Sequence, residues 1–162
     1  MARTACEAMY QELDVEAVQR WLELELARLQ LAAKQWVESY FREGRERSVS
    51  QKLWPRLKGY QGRSFYVIWC RKDYVNPKRG IVRTQHISRG QGSYRRRLAQ
   101  ICQHLEPEAR AMVLRYEERF QAVRRMVELL TAMLVQLDRY RQLQEKEGKN
   151  ILFGHEKAGG AC

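Results

Sequence analysis

From Val113 onward the chain repeats apolar residues at steps of three and four: Val113, Tyr116, Phe120, Val123, Val127, Leu130, Leu134 and Leu137. Held for more than three heptads, that spacing puts all eight side chains on one stripe of an α-helix. Met112, Met126, Met133 and Tyr140 form a parallel stripe at sevens. Pro107, following Glu106, suits the first helical position, where the N–H that proline lacks would be unpaired anyway. The pattern predicts a helix over 107–146, roughly 60 Å long at ~1.5 Å per residue. Such a helix cannot bury its stripe by itself. It needs either a second copy, with the eight residues as an oligomer interface, or another long helix of the same chain.

The first quarter of the sequence supplies a second long helix. Val15, Val18, Leu22, Leu26, Leu29, Ala33, Trp36 and Tyr40 again recur at threes and fours. Asp14 is a suitable N-cap, and Gly44 offers a C-terminal stop. A helix over 12–43 is expected, with a stripe broadened by Trp21, Leu24, Val37 and Phe41. Residues 44–62 are polar, basic and punctuated by Gly and Pro, which predicts a connector with a short apolar patch at Leu53, Trp54 and Leu57. SFYVIWCRK and IVRTQHIS are rich in β-branched and aromatic residues and flank DYVNPKRG, an arrangement that predicts a β-hairpin over 63–92. Phe65, Val67, Trp69 and Arg71 share one face of the first strand, and Ile81, Arg83, Gln85 and Ile87 share one face of the second. The register between them is open. Ser93 suits the N-cap of a short helix over 93–105.

The fold class expected is therefore α+β and mostly helical. Two long helices, able to pair as an antiparallel coiled-coil hairpin, carry an inserted basic β-hairpin and a short helix. A single domain over 1–146 and a flexible tail over 147–162 are expected. The 44% hydrophobic and 30% charged content is that of a globular chain.

The net charge of +11 is informative because of where it sits. Residues 42–97 hold 16 Lys and Arg against 3 acids, a balance of +13, whereas 1–41 and 98–162 come to −3 and +1. Basic charge gathered on one segment is the footprint of a polyanion-binding surface. Two devices lie within it. A two-stranded ribbon fits the major groove of duplex DNA, so Arg83, Thr84 and Gln85 are candidates for reading base edges, with Arg71, Lys72, Lys78, Arg79 and Arg89 as phosphate contacts. Arg95, Arg96 and Arg97 fall in the first turn of the short helix, where the macrodipole disfavours cations. A phosphate held by Ser93, the free backbone N–H groups and the guanidinium forks would relieve that conflict, with Gly90 and Gly92 allowing close approach. Single-stranded nucleic acid stacked on Tyr66, Trp69 or Tyr74 is a weaker alternative, since those aromatics suit a core.

Other chemistries find little support. The His86–Arg89 segment matches an HxxR pattern of tyrosine recombinases, but three-residue matches are common and the chain lacks room for that catalytic domain. Cys102 and His104 are two residues where a metal site needs about four ligands. Cys6, Cys70, Cys102 and Cys162 are scattered and read as reduced thiols. Glu117 and Glu118, like Glu106 and Glu108, suit a solvated face or ion pairs with Arg110, Arg115 and Arg124. There is no Walker loop, no Ser-His-Asp order and no histidine cluster. A protein without enzymatic activity, cofactor or metal is expected. No run of eighteen apolar residues spans a membrane, and MARTACEAMYQELD lacks the apolar centre of a signal peptide, so a cytoplasmic location is expected.

The N-terminal helix, the SFYVIWCRK strand with its Trp, the basic IVRTQHISRGQGSY segment and the long C-terminal helix carrying RYEERF together resemble the MobI-type auxiliary transfer proteins of conjugative plasmids and integrative conjugative elements. The resemblance covers most of residues 10–145. It implies a small factor that binds the origin of transfer and helps the relaxase to start, without nicking DNA itself. With the charge distribution, the expected partners are double-stranded DNA, a relaxase or other transfer protein, and a second copy of the chain. A coiled-coil adaptor and an RNA-binding regulator are the alternatives.

Overall fold

The computed structural model describes residues 14–60, 64–88 and 94–154. It is α+β and mostly helical: α1 (Val15–Glu46), β1 (Leu53–Tyr60), β2 (Ser64–Asn76), β3 (Ile81–His86), α2 (Tyr94–Ile101) and α3 (Pro107–Gly154). Backbone contacts divide the chain into two compact units, Leu26–Leu129, and Met1–Glu25 with Leu130–Cys162.

Helix α1 begins where Asp14 caps it, the Ala17 N–H donating to Asp14 Oδ1 at 2.9 Å. It does not stop at Gly44. The Val49 N–H donates to the Gly44 carbonyl and the Ser48 N–H to the Arg45 carbonyl, with Ser48 left-handed at φ 52°. That pair of bonds is a Schellman cap with Ser48 in the position glycine usually takes. Gly44 lies one turn earlier for a different reason: a Cβ there would meet Gln51 Nε2 at 2.0 Å. The missing side chain lets Gln51 reach in and donate to the Phe41 carbonyl at 3.0 Å, tying the segment after the helix back onto its last turns.

The sheet has three antiparallel strands in the order β1-β2-β3, not the two of the expected hairpin. Leu53–Tyr60, expected as a connector, is the additional strand. Its Pro55 is compatible with that role because β1 is an edge, where proline's missing N–H can face away from β2. The β2–β3 register, open in the sequence, pairs Arg71 with Gln85, so the two faces singled out above are one face. A bulge between Tyr74 and Asn76 precedes a 3-10 turn at Pro77–Arg79, and Gly80 takes φ 64°, a left-handed value that glycine adopts without strain.

Phe65, Val67 and Trp69 of β2 point inward, and all three are buried. Tyr40 of α1 meets Trp69 and Tyr116 edge-on, with centroids 5.5 and 5.3 Å away, and Phe120 lies 5.9 Å from Trp69. The Tyr40 hydroxyl donates to the Leu53 carbonyl at 2.5 Å, tying α1 to β1. Burial pushes the Tyr40 hydroxyl pKa well above its ordinary value. In this unit, successive α1 residues Tyr40, Glu43 and Arg47 meet Tyr116, Arg115 and Glu108, so the paired segments of α1 and α3 run in opposite directions.

Within the aromatic core lies a buried ionic group. Glu117, expected on a solvated face or paired with arginines including Arg124, does pair with Arg124 but is fully buried; it accepts from Trp69 Nε1 at 2.8 Å and from Arg124, whose other amino group donates to the Val67 carbonyl at 3.0 Å. A carboxylate and a guanidinium this deep persist only when paired and hydrogen-bonded. In the second unit, Arg141 donates to Gln19 at 2.5 Å, and Val18, Leu22, Leu137 and Tyr140 line an apolar groove. Helix α3 continues past residue 146 to Gly154. Residues 155–162 of the expected tail lie outside the described residues.

Replacing Glu117 with Ala strands the buried Arg124 and should cost about 3–5 kcal/mol. Glu117→Leu combined with Arg124→Met should cost much less, since neither charge is then left alone. Urea unfolding of the three proteins would show whether the penalty lies in the widowed charge. A second expectation concerns Glu43. Burial alone would raise its pKa, but hydrogen bonds from Arg115 and Tyr116 and the charges of Arg115 and Arg47 outweigh it and hold the carboxyl below 4.5. A depressed carboxylate contributes stability above its unfolded pKa and loses it as pH falls through the folded value. The melting-temperature gap between wild type and Glu43→Gln should therefore be full at neutral pH and close below pH 4.5.

Candidate nucleic-acid interface

Strand β1 ends its pairing at Leu53, opposite Arg71. Beyond that point β2 pairs only with β3, so Lys72–Asn76 and Ile81–Thr84 form a two-stranded ribbon. At ~3.3 Å per residue its five β2 residues carry it about 17 Å past the β1 edge. The inward face has nothing left to cover there: Trp69 and Ile87 are buried, but Arg71, Arg83 and Gln85, which continue the same face, are exposed. Lys72, Val82 and Thr84 are exposed on the opposite face, and Lys78 and Arg79 at the turn. Arg71 Nε donates to Gln85 Oε1 at 2.6 Å across the strands, fixing both side chains at the root of the ribbon.

The three expected base readers are thus divided. Arg83 and Gln85 project from one face and Thr84 from the other. Of the aromatics considered for stacking, Trp69 is wholly buried and Tyr66 is half-buried on the outward face; the side chain of Tyr74 lies outside the described residues.

Arg95, Arg96 and Arg97 are all exposed on α2. Arg95 forms an ion pair with Glu118 of α3 at 3.0 Å, and Arg97 donates to Ser88 Oγ at 2.9 Å. Partners within the protein thus occupy two of the three and ease the conflict with the helix dipole. Ser93, Arg89, Gly90 and Gly92 lie outside the described residues. The short helix itself is anchored by Leu98 and by Cys102 in the 3-10 turn after it, both fully buried. Burial, partly opposed by the charge of Arg110, pushes the Cys102 thiol up to about 11, and Cys70 is raised by the same cause against Arg56. Neither thiol is poised to react.

The expected oligomer seam is occupied within one chain. Val113, Tyr116, Phe120, Val123, Val127, Leu130 and Leu134 are buried and Leu137 is half-buried. Of the large apolar residues that α3 leaves exposed, all but Val135 follow another line, through Met126, Leu129, Met133, Tyr140 and Leu143. Met112, expected to share the stripe of Met126 and Met133, is buried. Near the ribbon, Lys52, Arg56 and Lys58 were not singled out in the sequence, and Trp54 was read only as part of an apolar patch. The alternation of Trp54, Arg56 and Lys58 was the available signal, masked by Pro55 and Gly59.

The protein is α+β and mostly helical with an exposed basic ribbon, and no group of metal-ligating side chains occurs among the described residues. No described helix is long and apolar enough to cross a membrane. The chain belongs to the MobI family, whose model matches residues 29–138 and so takes in the whole sheet, α2 and most of α3. That membership makes it a mobilisation-related conjugation protein of an accessory family, not a known family of enzymes. Searches of curated proteins and of solved structures find no match.

Proposed function

We propose that the protein is a DNA-binding accessory factor of conjugative transfer, which marks the origin of transfer and helps the relaxase engage there without itself cutting DNA. The observation that carries this reading is the ribbon of β2 and β3. It is basic and exposed on both faces, and Asp73 is the single acid in the sequence from Arg47 to Leu105. Strands about 4.8 Å apart, with side chains on both faces, suit a major groove about 12 Å wide. Arg83 and Gln85, sharing a face, are the base readers: an arginine can take guanine O6 and N7, and a glutamine can take adenine N6 and N7. Thr84 and Lys72 face away from those bases and contact backbone or the groove wall, and Lys78 and Arg79 at the turn take phosphate. The α2 arginines add phosphate contacts, with Arg96 free of partners among the described residues and Arg95 exchanging Glu118 for phosphate. Two copies paired along the exposed line of Met126, Met133 and Tyr140 would present two ribbons to two half-sites.

Footprinting on the DNA of the chain's own genetic element should reveal one protected site, and affinity for it should fall steeply with salt, by a log-log slope of about 0.9 per phosphate. Arg83→Ala or Gln85→Ala should narrow the gap between specific and random DNA by about 1–3 kcal/mol while leaving random-sequence binding in place. Replacing Arg95, Arg96 and Arg97 together by Ala should weaken all sequences alike and flatten the salt slope. Equal affinity of the wild type for origin and random DNA at every salt concentration would remove the origin-marking role. Sedimentation of Met133→Glu beside wild type tests the pairing: the variant should run as the smaller species.

A further inference from the structure

The outward face of the sheet carries a second set of residues, of which the ribbon shares only Lys72. Trp54, Arg56 and Lys58 alternate along β1 and point away from the core, because their neighbours Leu53 and Pro55 point into it and are buried. On β2 the same face bears Tyr66, opposite Lys58, and Ile68, opposite Arg56. Trp54 stands opposite Cys70 and closes one end of a cleft of about 650 Å³, which is also lined by Phe41, Lys52 and Lys72. Trp54 and Tyr66 are half-buried, while the four cations around them are exposed. No acidic residue lies among the described residues of this face.

A solvated face needs charge but not large aromatic side chains at its centre, and a protein-docking face does not call for four cations without a single acid. Aromatic side chains interleaved with lysines and arginines on one sheet face match one ligand chemistry: bases that are unstacked, joined by phosphates. A duplex hides its base faces within its own stack, so it cannot use the rings. We propose that this face, from the Trp54 cleft along Arg56 and Lys58 to Tyr66, binds single-stranded DNA. Trp54 and Tyr66 stack on bases, and Lys52, Arg56, Lys58 and Lys72 hold the phosphates. This rests on the reading of the protein as a transfer-origin factor, since opening of the origin is what presents a single strand beside the bound duplex. The two surfaces share β2 and meet at Lys72, so one molecule can hold duplex by its ribbon and an emerging strand by its sheet.

Fluorescence anisotropy of the full chain with three labelled probes tests this: an oligothymidylate of about twenty nucleotides, the matching oligouridylate and a duplex of the footprinted site. Trp54→Ala should weaken oligothymidylate binding about tenfold or more, and Trp54→Phe should restore most of it, because a phenyl ring still stacks. Arg56→Ala with Lys58→Ala, both exposed positions, should weaken it as well and decide the matter should Trp54→Ala fail to fold. None of these should move duplex affinity, which Arg83→Ala with Gln85→Ala should lower on its own. Wild-type oligothymidylate affinity in the Arg56→Ala, Lys58→Ala protein would overturn the proposal, as would tighter binding of oligouridylate than of oligothymidylate. Duplex bound without single strand would sink this proposal alone, and single strand bound without preference for the origin duplex would sink the origin-marking reading alone.

Discussion

The buried contact among Trp69, Glu117 and Arg124 sets the geometry on which the ribbon and the sheet face both depend. Glu117 takes hydrogen bonds from the indole of β2 and the guanidinium of α3, and Arg124 returns one to the β2 backbone at Val67. Hydrophobic burial alone is indifferent to small slips of a strand across a helix. The two hydrogen bonds that cross from the strand to the ion pair on α3, Trp69 to Glu117 and Arg124 to the Val67 carbonyl, are not, because a shift of one residue would leave buried polar groups without these partners. Both ends of Arg124 are therefore satisfied in one register only, and that register fixes which β2 residues face inward. Once Trp69 is inward, alternation sends Tyr66 and Lys72 outward and determines where Arg71 leaves the core.

Around this group the aromatic side chains of Tyr40, Tyr116 and Phe120 fill the space between α1, α3 and the sheet. Edge-on packing of such rings is directional, adding specificity to the area they bury. The core then ends abruptly. Past Trp69 and Ile87 the next residues on that face, Arg71, Gln85 and Arg83, are polar and exposed, so β2 and β3 continue beyond the core as a ribbon. An edge of this kind invites pairing with other strands unless it is charged. Here the density of Lys and Arg protects the ribbon and at the same time equips it for a polyanion.

The two long helices, the strands SFYVIWCRK and IVRTQH, and the start points at Asp14 and Pro107 were all legible in the sequence. Each rests on a local rule: a periodicity, a cap or a β-branched run. The strand at Leu53–Tyr60 was not, because Pro55 and Gly59 argue against strand structure locally. Only its place at the edge of a sheet makes the proline harmless. The end of α1 misled for a similar reason. Gly44 looks like a stop, yet its role is to make room for Gln51, while the left-handed position falls to Ser48. For the candidate interface, the basic character of the middle segment was plain from counting. The separation of Thr84 from Arg83 and Gln85, the engagement of Arg95 by Glu118 and the outward row of Trp54, Arg56 and Lys58 were not.

What the sequence determined by itself is periodic or cumulative: helical stripes, strand alternation and the gathering of positive charge between residues 42 and 97. These follow from bonds and charges close together along the chain. The tertiary structure decided what became of them. The seam from Val113 to Leu134 is core within one chain, the pairing of Glu117 with Arg124 is buried under the sheet, and the charge is shared between a ribbon and a sheet face. Periodicity says that a side chain needs a partner. Only packing over long sequence separations, with the cost of an unpaired buried charge, determines which partner it has.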